Sequence, residues 1–366
     1  MTYEPKPGTP IVELDTPILL LDLDAFEANV QRMARFFADK PTKLRPHSKT
    51  HKCPQIARRQ LQAGAICITC AKVSEAEVMA RAGIHGVLIA NQVVGAVKID
   101  RLTDLARESD LMVVVDDAAN VRALSDACRA KRVELRVLVE VEVGMNRCGI
   151  APGAPAVELA RQIAHSPGLH FAGLMAYEGH LVLTADPVER DAKVRQVLVP
   201  LQTTCAMLAD AGLPAPIVSG GGTGTYDTTG TCPPVTEVQA GSYVFMDSTY
   251  LKVRPEFQSA LMLLSTVVSR PAPNRLVLDA GLKTISKEFG NPQPLDIPDA
   301  AVRYVSEEAT VIDLAEPDRV ALQPSDKARI LPTHCCTTVN LHDNLYVVQN
   351  GKLVDIWQIA GRGCAQ

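Results

Sequence analysis

No stretch of this sequence approaches the ~18 consecutive apolar residues of a membrane span. Its opening residues, MTYEPKPGTP, carry neither an apolar signal core nor an Arg-rich amphipathic pattern. Neither sign of charge is in excess: 37 Lys and Arg face 41 Asp and Glu, for a net charge of −4. No basic field therefore points to nucleic acid or anionic lipid. Low-complexity tracts are missing too. A soluble, cytoplasmic protein with no nucleic-acid and no membrane partner is expected. What the 366 residues do have is 47% apolar content, enough for a sizeable core. The length suits two or three domains, or one large barrel with an appendage. Ten cysteines in such a chain are expected to be reduced thiols. Cys67 and Cys70 form a C-x-x-C, but the segment AICITCAK reads as a buried strand rather than the helix N-terminus a redox pair needs.

From residue 16 to about residue 247 one grammar repeats: a short apolar run, a turn, an amphipathic stretch. The runs cover residues 18–23, 43–50, 65–71, 86–91, 111–116, 135–143, 170–177 and 215–219. They are rich in Val, Ile and Leu, as strands buried on both faces should be. Helix starts recur between them, with DAFE (24–27) and SEAE (74–77) resembling capping boxes. Eight βα units predict an α/β fold with a TIM-type (β/α)8 barrel, although an open doubly wound sheet would show the same count. In a barrel, chemistry belongs at the C-terminal ends of the strands, and the unusual residues fall there. After about residue 258 the pattern becomes strands joined by turns, with Asn350-Gly351 a two-residue hairpin signal. The expected domains are a barrel over 16–250 and a β domain made of 1–15 with 251–366.

Three constellations can carry chemistry. In RPHSKTHK (45–52), strand periodicity would place His47, Lys49 and His51 on one face. A lysine held between imidazoles in a barrel mouth has a lowered pKa, and a neutral amine is what Schiff-base chemistry needs; a basic surface patch is the other reading. SGGGTG (219–224) follows a strand, and glycines there can turn backbone N–H groups toward an anion or merely form a flexible turn. It is neither Walker A nor G-x-G-x-x-G. Gly241, Ser242 and Tyr243 could add a second set of phosphate donors. Finally, His334 and Cys336 lie two apart on a segment read as extended, which would point both to one side. An imidazole and a thiolate suit Zn²⁺ with positions left for water or substrate, whereas a buried thiol pair beside a structural histidine would be inert. Arg147, near the end of the strand LRVLVEVEV, can bind an anion or pair with Glu140 or Glu142. Tyr177, at the next strand end, can stack on a ring or pack.

PHSKTHK, EVGMNRCG, SGGGTG, QAGSYVFMD and PTHCCTTVNLHD occur in that order. Together they resemble fold-type III pyridoxal-phosphate enzymes, and within them the D-threonine aldolase and D-serine dehydratase-like group, relatives of alanine racemase. The resemblance runs from DTP (15–17) to the C-terminal region. It implies a barrel with a C-terminal β domain, assembled as a homodimer. It implies that Lys49 is joined to the pyridoxal 5'-phosphate aldehyde, that Arg147 faces the pyridine nitrogen and that Tyr177 lies beside the cofactor. Gly221, Gly222 and Thr223, with Gly241, Ser242 and Tyr243, match the phosphate-binding segments. His334 and Cys336 match the ligands of a divalent metal (Zn, Mn or Mg) in the β domain, and His51 is the candidate base. The implied activity is retro-aldol cleavage of D-3-hydroxy amino acids to glycine and an aldehyde. The alternative is a Zn-dependent dehydratase on D-serine or 3-hydroxy-D-aspartate, and a remote one is a non-catalytic pyridoxal-phosphate carrier. Two positions depart from the aldolase pattern. Cys336 stands where those enzymes commonly carry a carboxylate and the dehydratases a cysteine. SEEA (306–309) replaces the common Asp-Glu-His-Gly.

Overall fold

The computed structural model describes residues 4–366 and resolves them into two compact units. One is built from residues 33–49, 56–241 and 364–366. The other takes residues 4–32, 50–55 and 242–363.

The first unit is an eight-stranded, all-parallel sheet. Its strands in chain order are Lys43–Leu44, Thr69–Cys70, Val87–Gln92, Leu111–Val115, Leu135–Glu140, Leu169–Ala176, Ile217–Gly220 and Glu237–Val238. From Thr69–Cys70 onward each pairs with its sequence neighbours, and Glu237–Val238 also pairs with Lys43–Leu44, which has no ladder with Thr69–Cys70. The sheet curls until Lys43–Leu44 meets Thr69–Cys70, where one parallel bridge, His47 to Thr69, closes the ring. The Ile66 and Thr69 amides donate to the Leu44 and Pro46 carbonyls (2.9 Å each) and reinforce that seam. Leu111–Val115 is buried at every residue, because side chains of both pleat faces meet packed neighbours: ring interior on one side, helices on the other.

Two details of the sequence reading are corrected. The run at 18–23 forms the strand Ile18–Asp22 but is not a barrel strand; it pairs antiparallel with Leu261–Ala272 and parallel with Asn344–Gln349 in the second unit. The eighth ring position is filled by Glu237–Val238, a strand too short to show a periodicity. The helix after Ile18–Asp22 starts at Leu23, and the Asp22 carboxylate rather than Asp24 accepts the Ala25 amide (3.0 Å).

The second unit centres on a nine-stranded, mostly antiparallel sheet. Leu261–Ala272 is its spine, long enough to pair with Ile18–Asp22 and Lys327–Leu331 over its first half and Arg275–Leu278 over its second. Asn344–Gln349 and Lys352–Gln358 make the expected hairpin, with Asn350 and Gly351 both at positive φ (50° and 72°) as a two-residue turn demands. All ten cysteines are free thiols.

Candidate active site

The strand expected across 43–50 stops at Leu44, and residues 48–50 form a 3₁₀ turn. His47, Lys49 and His51 therefore do not share a strand face. The turn is anchored from within: Ser48 Oγ donates to the Thr69 carbonyl (3.0 Å), and the Lys49 amide lies 3.4 Å from His47 Nδ1. His47 is buried while Lys49 is half-buried.

That amine sits over the Tyr177 ring, 5.8 Å from its centroid. The Arg147 guanidinium is over the same ring, with Cζ at 5.6 Å. Arg147 belongs to a loop, not a strand, since Leu135–Glu140 ends earlier. The loop is shaped by Glu142 Oε1, which accepts the Gly144 and Asn146 amides (2.8 Å each). Arg147 also pairs with Glu140 (3.7 Å). Burial pushes the Glu140 carboxyl up; the Gln92 hydrogen bond and the Arg147 charge pull the other way. Gln92 also donates to Asp116 (3.1 Å), whose carboxylate accepts the Gly149 amide (2.9 Å). The sequence marks Gln92 only as an unusual strand-end residue and ties neither it nor Asp116 to Arg147, because neither lies in a motif with that arginine.

The strand Ile217–Gly220 leads into the glycine loop. A Cβ at Gly224 would stand 1.8 Å from the Val182 carbonyl oxygen, so packing alone requires glycine there. Gly222 differs. Its φ is not positive, and a Cβ would make only ordinary contacts of 3.4–3.5 Å with Tyr177 and Val182. The fold does not impose glycine at 222, which fits close approach of a ligand beside Tyr177. The Gly221 amide is directed to Glu178 (3.2 Å) and the Gly222 amide to Thr225 Oγ1 (3.2 Å). Gly241 follows Ala240, whose carbonyl accepts the His47 amide (3.2 Å); this ties the Gly241 segment to the Lys49 segment. An amine, a guanidinium and a glycine loop thus surround one phenol ring, which suits an aromatic aldehyde bearing a phosphate.

The second unit carries the remaining expected residues. His334 and Cys336 are not on an extended segment: His334 caps the short helix Cys335–Val339. They still meet. Cys336 lies well below the usual thiol range: its hydrogen bond with Cys335 lowers it, burial opposes this, and His334 and Thr50 add to the lowering. The Thr50 hydroxyl is 3.3 Å from Cys336 Sγ, and Ser242 Oγ is 3.9 Å away. Burial pulls the His334 imidazole down, but Cys336 and Glu288 overcome it and raise it to about 9. Glu288, absent from the sequence reading, bonds His334 Nδ1, and the Phe289 ring stacks on the imidazole at 4.7 Å. An imidazole beside a thiol held low is the kind of donor pair a soft divalent cation would take. Among the described residues no three His, Cys, Asp or Glu side chains gather into a fuller metal group, so the two would leave positions for water or substrate. Asp247 stabilises this helix by accepting the Cys335 amide (2.9 Å). Ser242 and Tyr243 lie in the 3₁₀ turn Ser242–Val244, and the Tyr243 side chain is wholly buried near Phe257. His51 is also buried, with Nδ1 accepting the Cys53 amide (3.1 Å). That lone pair is committed to the backbone, which counts against Nδ1 as the base.

Residues 21–249 match the family model for the alanine racemase N-terminal domain, and residues 260–348 match a putative serine dehydratase domain. The chain belongs to the alanine racemase-type, fold-type III pyridoxal-phosphate family. Within this family it is 40% identical to a D-threonine aldolase of Arthrobacter sp, over 98% of this chain and 95% of that protein. It is 36% identical to the 3-hydroxy-D-aspartate aldolase of Paracoccus denitrificans (strain Pd 1222), over 98% and 94%. It is 29% identical to the D-threo-3-hydroxyaspartate dehydratase of Delftia sp. (strain HT23), over 90% and 92%. The crystal structure of D-threonine aldolase from Filomicrobium marinum superposes with a TM-score of 0.96 at 40% identity, covering 99% of this chain and all of that one. Family members share the barrel and β-domain pairing seen here. No helix among the described residues is long and apolar enough to cross a membrane.

Proposed function

We propose that the chain is a pyridoxal-phosphate- and metal-dependent carbon–carbon lyase that cleaves D-3-hydroxy amino acids to glycine and an aldehyde. The observation that supports it best is the grouping of Lys49 and Arg147 over Tyr177 beside Gly222. Pyridoxal phosphate supplies an electron sink for bonds at the amino acid α-carbon. Lys49 would hold its aldehyde, Arg147 would face its ring nitrogen, and Gly221, Gly222, Thr223, Gly241, Ser242 and Tyr243 would hold its phosphate. A divalent metal on His334 and Cys336 would polarise the substrate β-hydroxyl.

The chain's own groups set the conditions for cleavage. In the retro-aldol route a base, with His51 the candidate, would take the β-hydroxyl proton as the Cα–Cβ bond breaks, and the Lys49 amine, held by its turn, would supply the proton that completes glycine at the α-carbon. Arg147, kept in place by Glu140, would present a fixed positive charge to the ring nitrogen and disfavour a proton there. Cys336 Sγ donates to Thr50 Oγ1 (3.3 Å), and the same hydroxyl would turn to donate to the sulfur once the thiol has lost its proton, which favours the thiolate a cation needs. Two peptide bonds, Lys49–Thr50 and Gly241–Ser242, carry the chain directly from the residues of the first unit to those of the second.

Dehydration is the second reading, and Cys336 favours it, because a soft thiolate selects Zn²⁺ over Mn²⁺ or Mg²⁺. A bare cofactor carrier would need neither His334 nor Cys336. Incubation with D-threonine, D-serine and 3-hydroxy-D-aspartate separates the readings: glycine plus aldehyde for the lyase, a 2-oxo acid plus ammonia for the dehydratase. Borohydride reduction of the holoprotein should fix the label on Lys49; a label elsewhere overturns the proposal. A homodimer and a cytoplasmic location fit the same reading, and sedimentation and fractionation test them.

A further inference from the structure

Glu178 is a buried acid with no part in the chemistry above. It follows Tyr177, its carboxylate is wholly buried, and it takes three hydrogen bonds from one stretch of chain. Oε2 accepts the Gly221 amide (3.2 Å), and Oε1 accepts the hydroxyls of Thr225 (2.7 Å) and Thr229 (2.5 Å). All three donors are uncharged. A carboxylate is removed from water only at considerable cost unless several donors replace its hydration, so this arrangement is a built one.

The bonds tie the first residue of the loop to the short helix Tyr226–Thr229 that follows it. Thr225 extends the tie, since its oxygen accepts the Gly222 amide while its hydrogen goes to Glu178. The peptides at 221 and 222 are both oriented by one carboxylate, directly for Gly221 and through Thr225 for Gly222. Gly221, at φ +72°, supplies the turn that lets them do so.

We propose that Glu178 is the positioning residue of the phosphate loop: by holding the Gly221 amide and, through Thr225, the Gly222 amide, it fixes the curvature at which Gly222 leaves room for a phosphate monoester and Thr223 binds it. The inference rests on the pyridoxal-phosphate reading and adds to it the origin of phosphate selectivity. A carboxylate suits the task because it only accepts, whereas a glutamine amide would turn N–H groups toward existing donors.

The test compares pyridoxal 5'-phosphate with pyridoxal, which lacks the phosphate. Apoprotein is titrated with each, and the ratio of the two affinities is the readout. The native chain is expected to prefer the phosphorylated form strongly. Glu178→Gln is expected to lose about tenfold or more in affinity for that form while its affinity for pyridoxal stays within about twofold. Thr225→Val should move the ratio the same way by less. It also serves as the deciding variant if Glu178→Gln does not fold. A Glu178→Gln or Thr225→Val chain that keeps the native ratio, or weakens on both ligands equally, overturns the assignment. A native chain with no preference for the phosphorylated form instead overturns the pyridoxal-phosphate reading on which it rests.

Discussion

Glu288 Oε2 lies 2.6 Å from His334 Nδ1. A carboxylate behind an imidazole fixes which ring nitrogen stays available and increases the basicity of that nitrogen toward a cation. Replacing Glu288 by Ala is expected to weaken Zn²⁺ binding by about 10–100-fold. Because the side chain is 46% exposed, the melting temperature should hardly move. Competition with a chromophoric chelator measures the affinity; unchanged binding in the variant would show that Glu288 does not support a metal ligand.

Tyr177 presents its ring face to two cations, each contact contributing about 0.5–1 kcal/mol at a partly exposed site. Tyr177→Phe keeps that face, and Tyr177→Ala removes it. The alanine variant should release pyridoxal phosphate about tenfold faster on dialysis against free hydroxylamine, while the phenylalanine variant stays near native. Equal release rates in the two variants would assign the role to the hydroxyl.

Arg45 and Glu237 form a buried ion pair (Nε to Oε1, 2.8 Å) beside the seam, where Lys43–Leu44 pairs with Glu237–Val238, and Arg45 also donates to the Gly86 carbonyl (2.7 Å). Removing one partner leaves an uncompensated buried charge. Glu237→Ala is therefore expected to cost about 3–5 kcal/mol by urea unfolding. The double change Arg45→Met with Glu237→Leu should recover most of that loss. A loss below about 1 kcal/mol in the single variant would mean that water reaches the seam.

His342 donates from Nε2 to the Thr284 carbonyl (2.7 Å), and burial holds its imidazole below the usual value of about 6.5 despite that bond. The unfolded chain gains a proton near that usual value and the folded chain only at lower pH. Stability from this group is complete above about pH 6.5 and declines as pH falls through the folded value. His342→Gln keeps a donor for Thr284 and removes the titration. Its urea midpoint should fall less than the native one between pH 7.5 and 5.5. Parallel declines would assign the acid sensitivity to other groups.

The features legible in the sequence were those carried by contiguous residues. Leu111–Val115 and Leu135–Glu140 announce themselves as strands buried on both faces, and the glycine loop follows its strand in one unbroken motif. The membership of Ile18–Asp22 was not legible, because burial on both faces looks alike in a ring of parallel strands and in the middle of an antiparallel sheet. The turn Ser48–Thr50 replaced an expected strand because its anchors, Thr69 and Ala240, are remote in sequence. Glu140, close to Arg147 in the chain, was legible as its partner, whereas Glu178 and Glu288 escaped notice as supports for one physical reason: a buried or bridging carboxylate is defined by the donors that fold around it, and those donors lie in other segments.

The alternation of the chain between its two compact units also constrains how such a protein can be recombined. The β-rich unit draws on three separate stretches, one of them the hexapeptide 50–55 that begins immediately after Lys49. A single crossover between two related genes, wherever it falls, cannot exchange either unit whole. Chimeras that inherit a new segment beyond residue 242 keep the old hexapeptide with Thr50, whose hydroxyl oxygen lies 3.3 Å from Cys336 Sγ. Swapping substrate preference among relatives by shuffling should therefore succeed only when residues 50–55 travel with the C-terminal half.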